Sequence, residues 1–98
     1  MGGEPARIAA IRELREESGV VALGDIELFG IYFHRVMRVN DYVVLYVVKQ
    51  FTQTAMLLGG EIAAVDWFAL ENLPADLSES TRIRIAEYFY KQPQIDQW

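Results

Sequence analysis

The spacing of apolar residues changes along the chain, and the changes divide it into elements. Ile8, Ala10, Ile11 and Leu14 recur at helical spacing in an otherwise polar segment. Pro5 suits the first turn of a helix, where its missing N–H leaves no bond unmade. Gly19 can take the left-handed conformation that closes one. The pattern predicts a helix from about Pro5 to Ser18.

Strand-like segments follow, the first over Ile26 to His34 and the second over Asp41 to Phe51, which is rich in β-branched and aromatic residues. Asn40-Asp41 suits a turn, so these two segments read as a hairpin. Tyr42 to Val48 is uninterruptedly apolar, as expected of a central strand covered on both faces. A third strand is expected from Ile62 to Leu70, entered after Gly59-Gly60 and stopped by Leu73-Pro74. Ser78 or Ser80 can cap a second helix running to about Lys91, with Ile85, Tyr88 and Phe89 on its buried face. Pro93 ends it, and the last residues are expected to be loose.

The order helix, strand, strand, strand, helix predicts an α+β fold. It is a mixed or antiparallel sheet of about three strands with two helices, in one domain over residues 1–98. Trp67 and Phe68 alternate along the third strand, so at least one belongs to the core. Tyr32, Tyr42 and Tyr46 are expected to pack in the sheet.

Composition narrows the function. The chain is 52% hydrophobic and 23% charged, the balance of a folded globular protein. Its net charge is −5, so it lacks the basic field by which a nucleic-acid polymer is held. A small phosphorylated ligand would need something other than net charge to attract it, such as a divalent cation. No apolar run approaches the ~20 residues that span a bilayer, and the N-terminus does not have the pattern of a signal peptide. With no cysteine, disulfides and thiolate metal sites are excluded, which suits a reducing cytoplasm.

The informative stretch is RELREESGV, Arg12 to Val20. Glu13, Glu16 and Glu17 cluster on one side of the predicted helix, with Ile8, Ile11 and Leu14 on the other. Like charges at these spacings oppose a helix by about 0.2–0.5 kcal/mol per pair. They also sit at the negative end of the helix dipole, where cations are favoured by about 0.3–1 kcal/mol. Arg12 and Arg15 offset part of this. A hard cation offsets it better, because Mg²⁺ takes oxygen ligands and keeps positions open for phosphates.

The segment resembles the Nudix hydrolase box, G-x5-E-x7-R-E-U-x-E-E-x-G-U with U aliphatic. Glu4, then seven residues, then Arg12-Glu13-Leu14-Arg15-Glu16-Glu17-Ser18-Gly19-Val20 match every specified position from the first glutamate onward. Val65-Asp66-Trp67-Phe68 followed by Leu73-Pro74 and a closing helix is similar to the family's ending. The resemblance implies that Glu13, Glu16 and Glu17 bind Mg²⁺ or Mn²⁺, that Arg12 orients the neighbouring carboxylates, and that Glu4 supports Arg12. Gly19 would let the chain turn, and Glu61 would be a further carboxylate of the site. It implies hydrolysis of a nucleoside diphosphate linked to another moiety. The box's first glycine belongs six residues before Glu4, so the resemblance is to a domain shortened at its N-terminal side. Missing strands there would leave sheet surface for a homodimer or larger assembly to cover. His34, Arg35 and Arg38 are lesser candidates for meeting an anionic substrate.

Overall fold

The structure, a computed structural model, describes residues 3–54 and 65–98. The helix expected at the start forms as α1, Ala6–Ser18, with Pro5 as its extended N-terminal flank. Gly19 ends it at φ 78°, its amide donating to the Arg15 carbonyl at 2.9 Å. A side chain with a Cβ would be strained in that left-handed conformation. The Ser18 hydroxyl donates back to the Leu14 carbonyl at 2.6 Å and accepts from the Val20 amide at 3.1 Å, steering the chain into strand β1, Val20–Ala22.

Three further strands follow: β2 (Glu27–Val36), β3 (Val39–Val47) and β4 (Phe51–Gln53). A 3-10 turn at Leu70–Asn72 precedes the second helix, α2, Glu79–Phe89. The fold is α+β, with two helices and four strands in two two-stranded antiparallel sheets among the described residues. One sheet pairs β1 with β4, the other β2 with β3. The short β1 and β4 escape sequence patterning because three residues carry no readable period.

The chain divides into two compact units, Met1–Gly30 with Val44–Val65, and Ile31–Val43 with Asp66–Trp98. In the first, β1 and β4 pair antiparallel, with Val20 opposite Gln53, Val21 opposite Thr52 and Ala22 opposite Phe51. The end of α1 is tied to this ladder. The Thr54 amide and hydroxyl both donate to the Gly19 carbonyl, at 2.8 and 3.0 Å, and the Gln53 side-chain amide donates to the Ser18 carbonyl at 3.3 Å. Carbonyls that a helix end leaves orphaned are thereby satisfied. Val20 is the one buried apolar side chain described in this unit.

The hairpin turn is displaced from its expected place. It falls at Met37-Arg38, with φ of 49° and 70°, and Asn40-Asp41 lies inside β3. Two consecutive positive φ values mark the two-residue turn whose twist matches the flanking strands. Side-chain pairing across the strands outweighs local turn preference here. The turn at Met37-Arg38 brings Phe33 against Tyr42, ring centroids 5.7 Å apart in an edge-to-face contact. The expectation that Tyr42 to Val48 is covered on both faces also fails. Tyr42 is 64% exposed and Val44 37%, because β3 has only β2 beside it among the described residues.

The expected third strand lies partly outside the described residues (62–64). Its remainder, Val65 to Ala69, is not strand. With no ladder to join among the described residues, Trp67 and Phe68 are both more than half exposed, so neither is core.

In the second unit, the Ser78 hydroxyl accepts from the Thr81 amide at 3.2 Å and caps α2. The face α2 buries differs from the one expected. Arg84 and Glu87 are its buried residues, while Phe89 is 55% exposed. These two charges lie against Tyr32, which is 1% exposed. The Tyr32 hydroxyl donates to Glu87 Oε1 at 2.9 Å, and the Arg84 guanidinium lies 4.1 Å from the Tyr32 ring centre and 5.3 Å from that of Trp98. The last residues are not loose. The Phe33 amide donates to the Asp96 carbonyl at 2.7 Å and the Trp98 amide to the Phe33 carbonyl at 2.8 Å, forming a short parallel bridge along β2. Arg84 Nη1 donates to the Gln97 carbonyl at 3.1 Å, and the Ile95 amide donates to Glu87 Oε2 at 3.0 Å. A buried ion pair has to satisfy its remaining donors and acceptors, and the terminal segment supplies partners for that purpose.

Candidate functional site

Helical spacing puts Glu13, Glu16 and Glu17 on the last turns of α1, and all three are exposed. Arg12, one turn before Glu16, bridges two carboxylates. Its Nη1 donates to Glu16 Oε1 at 2.8 Å. Its Nε and Nη2 face Glu4, with Nε 3.2 and 3.1 Å from the two oxygens and Nη2 2.8 Å from Oε1. This two-pronged grip fixes the planar guanidinium in a way that a lysine could not reproduce. The hydrogen bonds from Arg12 hold the Glu4 carboxyl below its usual range, against a small opposing effect of burial. Reciprocally, the bonds to Glu4 first, and the charge of Glu16 after them, raise the Arg12 pKa. All these groups are solvated, so the contacts orient side chains rather than store much stability.

The structure thus brings together Glu4, Arg12 and Glu16. It leaves the Glu13 and Glu17 carboxylates open to solvent, and among the described residues no three acidic or histidine side chains converge on one point. The donor set nonetheless fits a hard divalent cation in chemistry. All candidate ligands are carboxylate oxygens, on solvated side chains at most four residues apart on one helix, with no soft donor among them. The helix end that carries them is anchored through Gly19 to Thr54.

Glu61 lies outside the described residues. His34 and Arg35 are on β2 and Arg38 is in the hairpin turn. His34 is half-buried, both arginines are exposed, and all three belong to the second unit. Sequence reasoning missed the buried Arg84–Glu87 pair. Two opposite charges three apart on a helix read as a solvated face, and no local signal distinguishes the buried case.

Residues 2–89 match the NUDIX domain. The chain belongs to the NUDIX domain family. The match contains the whole stretch from Glu4 to Val20, so the Arg12 bridge and the three glutamates lie in the Nudix box of a Nudix domain. No curated protein and no solved structure matches the chain. Among the described residues of this Nudix domain, no helix is long and apolar enough to cross a membrane.

Proposed function

We propose that the protein is a divalent-metal-dependent pyrophosphohydrolase acting on a nucleoside diphosphate linked to another moiety. The observation that carries this reading is the Arg12 bridge, which holds Glu16 in place at a helix end crowded with carboxylates. Glu13, Glu16 and Glu17 hold Mg²⁺ or Mn²⁺. Glu4 holds Arg12, Arg12 positions Glu16, and Gly19 makes the turn that ties the helix end to Thr54. Glu61 adds a carboxylate. The cation, when bound, neutralises charge developing on the substrate phosphates. A box carboxylate orients the attacking water and takes its proton.

The unfavourable placement of charge supports this assignment. Three glutamates at the negative end of α1 oppose the helix by about 0.2–0.5 kcal/mol for each like-charged pair, and a bound cation reverses the sign. We place the protein in the cytoplasm, in keeping with the absence of cysteine.

The test is a panel of dinucleoside polyphosphates, nucleotide sugars and nucleoside triphosphates assayed with Mg²⁺. Turnover that disappears in Glu17→Gln supports the enzyme. Calorimetric titration with Mn²⁺ examines the metal separately, and equal binding by the parent and Glu16→Gln refutes the ligand set.

A second reading, a non-catalytic module that assembles through its sheet, is favoured by one observation. Ile31, Val39 and Tyr42 on the β2–β3 hairpin, all in the second unit, are each more than half exposed. A homodimer covering such side chains belongs to this second reading, and a stable monomer on gel filtration excludes it. No turnover together with no metal-induced thermal shift selects the module.

A further inference from the structure

The second unit contains a groove that the box chemistry does not use. Ile31 and Phe33 of β2, Tyr42 of β3, and Asp96 and Gln97 of the terminal segment line a volume of about 330 Å³. That is at the small end of the range for small-molecule sites. Phe33 and Tyr42 meet edge-to-face, their planes 64° apart, and Tyr42 is 64% exposed, so an aromatic ring is open to a flat ligand. The two terminal residues add polarity. Their backbones are engaged, the Asp96 carbonyl by Phe33 and the Gln97 carbonyl by Arg84. Their side chains have no partner among the described residues.

We propose that this groove binds a nucleobase, guanine in preference to the other three, stacked on Tyr42 and read by Asp96. Stacking on an aromatic ring accepts any base, because every base has a π-face. The carboxylate discriminates. An ionised Asp only accepts hydrogen bonds. Guanine presents two adjacent N–H donors, N1–H and the N2 amino group, which match the two oxygens. Adenine and cytosine each set a ring-nitrogen acceptor beside their amino group, and uracil flanks its single N–H with carbonyls. Each of these would put a lone pair against the carboxylate. The same negative charge turns phosphate away, so the groove receives the base and not the phosphate chain. Asp96 and Gln97 lie beyond the residues 2–89 that match the family, so the polar wall of the groove belongs to this chain's own terminal segment. Its position is fixed from beneath by Arg84 and Glu87, which hold Gln97 and Ile95.

The proposal concerns the second unit alone and is tested apart from the hydrolase reading, with nucleoside monophosphates and a metal chelator present. Neither hydrolysis nor a bound cation then enters. Calorimetry on the full chain should show guanosine monophosphate binding at least tenfold more tightly than uridine, cytidine or adenosine monophosphate. Asp96→Asn should abolish that preference while residual binding to all four remains. Tyr42→Ala should weaken all four by a similar factor, with circular dichroism confirming that the variant is folded. No binding of any base, equal binding of all four, or a guanine preference that persists in Asp96→Asn would overturn the proposal. Failure here leaves the hydrolase reading to the Glu17→Gln assay, and failure there leaves the groove untouched.

Discussion

Glu87→Gln removes a charge from the buried pair while keeping the side chain's volume, so it isolates the electrostatic contribution. Glu87 is 4% exposed and Arg84 3%. Arg84 Nε lies 3.1 Å from Glu87 Oε1 but not in line for a hydrogen bond, and Nη2 donates to Oε2 at 3.4 Å. The pair is therefore held more by Coulomb attraction than by ideal hydrogen bonds. A buried cation that loses its partner costs about 3–5 kcal/mol. The Tyr32 ring, 4.1 Å from the guanidinium, stabilises the cation in parent and variant alike, so it does not offset the loss. Tyr32 and Ile95 keep an acceptor only if the new amide turns its oxygen towards one of them. A loss of about 3 kcal/mol is expected, a large share of the 5–15 kcal/mol that a domain typically has. Urea unfolding followed by tryptophan emission measures it, since Trp98 packs edge-to-face on Tyr32 at 5.9 Å. The double variant Arg84→Met with Glu87→Leu should lose less than Glu87→Gln alone, because no charge then remains buried. A loss below about 1 kcal/mol for Glu87→Gln, or a double variant as unstable as the two single changes summed, would refute the reasoning.

Three further outcomes are expected. Replacing Met37-Arg38 by Asn-Gly should raise stability by about 1–2 kcal/mol, because both residues now adopt left-handed φ; an unchanged or lower melting temperature counts against the turn. Ser78→Ala should cost about 1 kcal/mol through loss of the cap on α2, measured by the same urea titration. Glu4 should titrate below the usual glutamate range in an NMR pH series and move back up towards it in Arg12→Ala. Its folded pKa is depressed, so its small stabilising contribution is present above the usual carboxylate range and fades as pH falls through the lowered value.

What could be read in advance followed from how local each cause is. The period of Ile8, Ile11 and Leu14, the closing Gly19 and the box from Glu4 to Val20 depend on residues within a few turns of one another, and α1 forms where they place it. The Ser78 cap is equally local. The hairpin turns at Met37-Arg38 although Asn40-Asp41 has the better local chemistry, because the register answers to Phe33 meeting Tyr42 across the ladder. Strand-like composition from Val65 to Ala69 came to nothing because a strand needs a neighbour, and composition says nothing about which neighbour arrives. Arg84 and Glu87 were invisible for the same reason: their burial is created by Tyr32 and Trp98, 52 and 14 positions from Arg84 along the chain. Of the candidate site, the positions of the carboxylates are legible in the sequence, whereas the grip of Arg12 on Glu4 and Glu16 depends on side-chain geometry that no spacing encodes.

The terminal bridge along β2 has a practical consequence for anyone trimming this protein to its family boundary. A version ending at Phe89 would keep every residue of the NUDIX match. It would strip the Gln97 carbonyl from Arg84, the Ile95 amide from Glu87, and the flank of β2 that Asp96 and Trp98 occupy. The shortened chain would carry a half-satisfied ion pair beside an open strand edge, the combination that sends recombinant material into inclusion bodies. The family match stops at Phe89, whereas the contacts that complete the buried ion pair run on to Gln97.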